Sequence, residues 1–234
     1  MTDSRRFFFL HLQKTAGTAL WRRLGNEFDA ASVYPGPGDG TPPEAVLSVD
    51  HLVERWNVRR DEIRVVTGHF PLCTVELLGA PFTTLTLLRD PVERTLSYLR
   101  HHREATPEDQ DRSLEEVYGD PIRFELLHNH MVKMLSLSRE EMANGALTHV
   151  EFTRDRLARA KERLQGIDVV GFQEDFESFC TQLTKRFGWN LGGPVFMNRT
   201  TPVDVSDALR TRIADDNALD IELYDFARQY TTGI

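Results

Sequence analysis

The chain has few cysteines, no long apolar runs and no excess of positive charge, and each shortage excludes a class of protein. Its only cysteines, Cys73 and Cys180, lie far apart with no CxxC spacing. They suggest neither a disulfide framework nor a zinc site, and fit a reducing cytoplasm. The apolar run Phe7 to Leu10, after Arg5 and Arg6, is too short for a signal-peptide core, and no stretch approaches the length of a membrane span. Lys and Arg number 28 against 36 Asp and Glu, a net charge of −8. That balance argues against non-specific nucleic-acid binding, which needs cations facing phosphates.

What remains is globular. With 234 residues, 40% hydrophobic and 27% charged, the chain has the length and core material for one α/β domain, residues 1–234. Arg6-Phe-Phe-Phe-Leu-His-Leu12 reads as a buried strand, followed by a polar loop and a helix from about Thr18 to Phe28. Residues 29 to 43, rich in proline and glycine, read as a loop. Ser48 can cap a helix through Trp56. Strands are expected at 63–67, 82–88 and 168–172, and further helices near 121–136, 152–165, 175–187 and 206–229. Asp90, Pro91 and Glu93 have the form of a capping box opening a helix to about Glu104. Alternating strands and helices predict a three-layer, P-loop-like α/β fold: a central parallel sheet flanked by helices, with ligands at the carboxyl ends of the strands.

The first such end is Gln13-Lys14-Thr15-Ala16-Gly17-Thr18. A strand here turns into a helix whose free amides and dipole favour an anion. Lys14 adds charge, Thr15 and Thr18 add hydroxyls, and Gly17 permits close backbone approach. It is not a Walker A loop, because Lys14 precedes the only glycine. On residue chemistry alone, an ordinary solvated helix start is an equal reading.

A second end is Arg89, with Ser97 seven residues beyond the Asp90 cap and so almost above the helix start. A guanidinium and a hydroxyl aimed together suit a second phosphate. The bland alternative pairs Arg89 with Asp90 or Glu93 and leaves Ser97 as helix packing. A third end is Gly68-His69. His128 and His130, two apart, do not make a metal pair on a helix, and His101-His102 read as a solvated basic face.

Taken in order, these segments resemble the PAPS-dependent sulfotransferases, especially the heparan-sulfate 2-O- and related carbohydrate branch; PAPS is 3′-phosphoadenosine 5′-phosphosulfate. Leu10-His-Leu-Gln-Lys-Thr-Ala-Gly-Thr-Ala-Leu20 is similar to that family's 5′-phosphosulfate loop, and Leu88-Arg-Asp-Pro-Val-Glu-Arg-Thr-Leu-Ser-Tyr98 to its 3′-phosphate segment. Thr67-Gly-His69, Val170-Gly-Phe172 and Asn217-Ala-Leu-Asp-Ile-Glu-Leu-Tyr224 follow in the family's order.

The resemblance implies that Gln13 to Thr18 hold the 5′-phosphosulfate, with Lys14 at the bridging oxygen or the 5′-phosphate, and that Arg89 and Ser97 hold the 3′-phosphate. It implies that His69 is the general base toward a hydroxyl acceptor. The scheme calls for no metal. Arg199, after Gly192-Gly193-Pro194, is a candidate to close over the nucleotide, and a surface arginine is as good a reading. The competing readings are a P-loop-like small-molecule kinase, which would need Mg²⁺ and a Walker B carboxylate, and a non-catalytic nucleotide-binding module. The acceptor is not legible.

Overall fold

The computed structural model describes residues 5–142, 145–193 and 204–232. Five strands, β1 (Phe7–Leu10), β2 (Val33–Tyr34), β3 (Val65–Gly68), β4 (Thr83–Leu88) and β5 (Val169–Phe172), form one sheet in the order β2-β3-β1-β4-β5, with every pairing parallel. Between them run α1 (Gly17–Leu24), α2 (Glu44–Leu47), α3 (Val49–Arg59), α4 (Thr74–Leu78), α5 (Pro91–Ala105), α6 (Leu114–Tyr118), α7 (Pro121–Leu127), α8 (His130–Ser136) and α9 (Arg154–Gln165). After the sheet come α10 (Phe176–Phe187), α11 (Asp207–Asp216) and α12 (Ala218–Thr232). The expected three-layer arrangement is what the chain adopts. Among the described residues no helix is long and apolar enough to cross a membrane.

The period-two alternation of a strand sorts β1 between two cores. Phe7 and Phe9 pack with Leu20 and Leu24 of α1 and with Phe179 and Leu183 of α10. Phe8 and Leu10 face the other layer, built from Leu52 and Trp56 of α3, Met131 and Leu135 of α8, Leu157 and Leu164 of α9, and Leu223 of α12. Burial on both faces explains why β1 reads as an unbroken apolar run.

Register places the chemistry. Leu10 is opposite Gly68 on one side and Thr86 on the other. His11 and His69 therefore leave adjacent strands at the same height, while β4 continues two residues further to deliver Arg89.

Three groups of expectations need correction. The helix expected at 121–136 is two helices, broken at Asn129, whose φ is 42°. The one expected at 206–229 breaks at Asn217. The breaks satisfy one another: Asn129 N–H donates to Asn217 Oδ1 at 2.9 Å, and Asn129 Oδ1 accepts from Leu219 and Asp220 N–H at 3.1 and 3.0 Å. Tertiary partners thus replace two intrahelical turns, which periodicity alone does not reveal.

Second, the proline- and glycine-rich stretch is more than a loop. It contributes β2 and leads directly into α2, and Asp39 anchors it. The buried Asp39 carboxylate accepts from Gly36 N–H at 2.9 Å and pairs with Arg55 and Arg59. Third, the Asp90 box is half formed: Asp90 Oδ1 accepts from Glu93 N–H at 2.9 Å, while the Glu93 carboxylate is drawn away to Arg210 at 2.8 Å.

Candidate functional site

The loop from β1 to α1 is built against backbone preference. Lys14 and Ala16 both take φ of 67°, in the left-handed region, while Thr15 and Gly17 stay outside it. For residues carrying a Cβ this costs on the order of 1 kcal/mol each. Alternation of hand turns successive N–H groups to one side, the concave arrangement that receives anions. The helix start is uncapped as well: α1 begins on Ala16, whose methyl group cannot cap it, and among the described residues no side chain accepts from its first-turn amides.

The structure reassigns two of the loop's side chains. Thr15 Oγ1 donates to Leu12 O at 2.9 Å and is buried, so this hydroxyl braces the loop. Gly17 is required by a histidine: a Cβ there would lie 1.9 Å from His11 Cδ2. Gln13 is buried, with Oε1 unpartnered, and Thr18 is exposed on the first turn of α1.

Arg89 does not pair with Asp90 or Glu93. Its Nη1 donates to Lys14 O at 3.1 Å, so the guanidinium at the end of β4 clasps the loop after β1. Its Nε is buried without a partner. Burial and the neighbouring Arg89 pull the Lys14 ammonium below its ordinary pKa, with Glu104 opposing them. Ser97 is half-buried on α5. His101, one turn beyond, is not an isolated surface group: burial, and then Lys14, lower its pKa. Ser97, His101 and Glu104 are spaced i, i+4, i+7, a helical stripe. His101 and Glu104 are exposed, as the reading of a solvated face expects.

His69 half-emerges at the end of β3, its N–H bonded to Val46 O at 2.8 Å. Its Nδ1 lies 2.7 Å from His11 O. A carbonyl only accepts, so Nδ1 carries the proton and Nε2 presents a lone pair. Burial lowers the His69 pKa, the hydrogen bond to His11 O opposes it, and Lys14 adds to the lowering. His11, quoted in the sequence motif without a role, stands against it with ring centroids 4.4 Å apart.

The strand ends thus bring together Gln13 to Thr18, Arg89 and His69. Arg199 lies outside the described residues. Among the described residues no three His, Cys, Asp or Glu side chains converge on a point where a metal could sit. A cavity of about 490 Å³ lies between Leu47, Ser48, Leu77, Arg139 and Met142, and includes none of these site residues.

An all-parallel sheet with helices on both faces is an α/β fold of the kind that sulfotransferases share. The sulfotransferase of Alicyclobacillus acidocaldarius superposes with a TM-score of 0.50 at 17% identity, covering 94% of both chains. Mouse sulfotransferase SULT7A1, complexed with PAP, gives 0.46 at 15% identity over 91% of this chain and 63% of that one.

In sequence, the chain is 29% identical over 177 residues to heparan-sulfate 6-O-sulfotransferase 2 of Gallus gallus, covering 63% of this chain. It spans 43% of the length of that relative. No family model matches. The resemblance to sulfotransferases read from the motifs therefore stands in both sequence and fold.

Proposed function

We propose that this protein is a sulfotransferase, acting as one domain in a reducing cytoplasm, that moves a sulfuryl group from PAPS to the hydroxyl of a carbohydrate or other small metabolite. The reading is carried by one juxtaposition. An anion loop with unfilled amides, clasped by the Arg89 guanidinium, lies beside an imidazole with a free Nε2.

The amides of residues 15 to 18 and the Lys14 ammonium hold the 5′-phosphosulfate, while Arg89 and Ser97 take the 3′-phosphate. His69 Nε2 accepts the proton of the acceptor hydroxyl as its oxygen bonds to sulfur and the bond from sulfur to the bridging oxygen breaks. Lys14 offsets the charge that collects on the departing phosphate. Positioning and charge stabilisation supply the rest, as in phosphoryl transfer.

The test is ligand-induced thermal stabilisation without metal. 3′,5′-Adenosine bisphosphate raises Tm and AMP does so much less, since only a ligand that binds the native state stabilises it. Arg89→Ala loses about 10- to 100-fold in bisphosphate affinity, the worth of a charge-assisted contact, and hardly changes toward AMP. A wild-type protein that prefers ATP with Mg²⁺ and ignores the 3′-phosphate is a kinase instead.

A further inference from the structure

His11 follows the last residue of β1, and its ring stands between two parts of the site. One edge fills the space that a side chain at position 17 would need, with His11 Nε2 2.0 Å from where a Gly17 Cβ would be. On the other side the ring lies 4.4 Å from that of His69, the planes inclined at 51°. It also stacks on Phe9 at 5.4 Å and 15°. The carbonyl of the same residue accepts from His69 Nδ1 at 2.7 Å.

We propose that His11 is a positioning residue that carries the conformation of the anion loop to the His69 imidazole, so that the donor and acceptor sides of the site are set together. The mechanistic consequence rests on the reading of His69 as the base. Gly17 follows directly on the left-handed Ala16. A shift of the loop at this point drives backbone into the His11 ring, and the ring stands against His69 and Phe9. Close-packed groups pass on such a displacement.

The same ring keeps water from His69. Burial is the first cause of the lowered pKa of both histidines. The titratable groups facing His69 are His11 and Lys14 from the loop and His130 from α8. Removing the His11 ring leaves Lys14 and His130 in place and admits solvent, so the His69 midpoint rises toward the ordinary imidazole value.

The experiment is an NMR titration of the His69 ring in the intact protein. His11→Ala and Gly17→Ala, the one deleting the ring and the other pushing it aside, both move the midpoint upward. His11→Phe, which keeps a ring in the Gly17 space, stays near the wild type. The double variant His11→Ala, Gly17→Ala moves it no further than His11→Ala alone, because the added methyl enters the vacated space.

A His69 midpoint unchanged in both single variants overturns the proposal, as does His11→Phe moving as far as His11→Ala. If circular dichroism shows His11→Ala unfolded, His11→Leu removes the aromatic plane while keeping apolar volume, and is read the same way. In sulfuryl transfer, His11→Ala lowers kcat by on the order of 10- to 100-fold through misplacement of the base, with bisphosphate affinity unchanged. A wild type without any transfer, but with the expected midpoints, would remove the base role of His69 and leave the coupling intact.

Discussion

Helices α1 and α8 both begin on a left-handed residue, Ala16 and Asn129, and neither is capped by that residue's side chain. Their first-turn amides nevertheless meet opposite fates. In α8, Met131 and Val132 N–H donate to the two oxygens of Asp220, at 3.0 and 2.8 Å, a carboxylate delivered from α12. In α1 no side chain arrives among the described residues, and the groups gathered nearby include the cations Lys14 and Arg89. Six other helices carry their own caps, on Ser48, Asp90, Ser113, Asp120, Thr153 and Ser206. Among the described residues α2, α4 and α10 also start without a side-chain cap, and what sets α1 apart is the positive charge beside it, the setting that suits an anion.

The comparison is broken most severely at the acceptor side. His69→Ala lowers transfer by about 10²- to 10⁴-fold, the usual worth of a general base. Bisphosphate affinity by calorimetry stays at the wild-type level; its loss together with activity would make His69 a donor-site or structural residue. Next, Lys14→Ala lowers turnover by at least about 10²-fold in a folded protein, because one preorganised charge is commonly worth that much. Near-normal turnover would return α1 to being an ordinary solvated helix start.

The internal ligand is tested by stability. Asp220→Asn turns an amide N–H toward Met131 or Val132 N–H and costs about 1–3 kcal/mol in chemical denaturation at pH 5, the penalty for a buried donor left unsatisfied. Burial raises the Asp220 pKa to about 6. Its folded value lies above the unfolded one, so its contribution is complete below about pH 4 and is lost as pH rises through about 6. The gap between wild type and Asp220→Asn therefore narrows from pH 5 to 8, and a gap that widens contradicts the assignment.

The smallest effect is a contrast in hydrogen exchange. Amides 131 and 132 are protected with or without ligand, whereas amides 15 to 18 gain protection only with the bisphosphate. Protection of both sets in the free protein would mean that α1 has an internal acceptor after all.

How much of this was legible depended on whether the signal was local. The loop after β1 and Arg89 stand out as candidates through residue type at strand ends, and Asp90 through its spacing to Pro91 and Glu93. The breaks at Asn129 and Asn217 do not, because each is stabilised by groups about 90 residues away in sequence. His11 was in view but mute, since its neighbour His69 becomes one only through the register of β1 with β3. Gly17 has a further reason beside close approach to a ligand: its missing side chain makes room for His11, a contact that no spacing predicts. Glu93 was offered to Asp90 locally and taken by Arg210 at a distance.

The carboxylate of Asp220 also has a consequence for order in time. As the chain leaves the ribosome, all five strands are made once Phe172 emerges, yet the amides of Met131 and Val132 wait for a residue nearly ninety positions further on. Until then α8 is a helix whose start must stay wet, and the core it shares with β1 and α9 stays open on that side. Docking of α12 strips water from Asp220 and seats Leu223 and Ala227 in one event, so this helix closes the molecule last. Nascent chains arrested before α12 should be cut by protease within or beside α8, and chains carrying α12 should not.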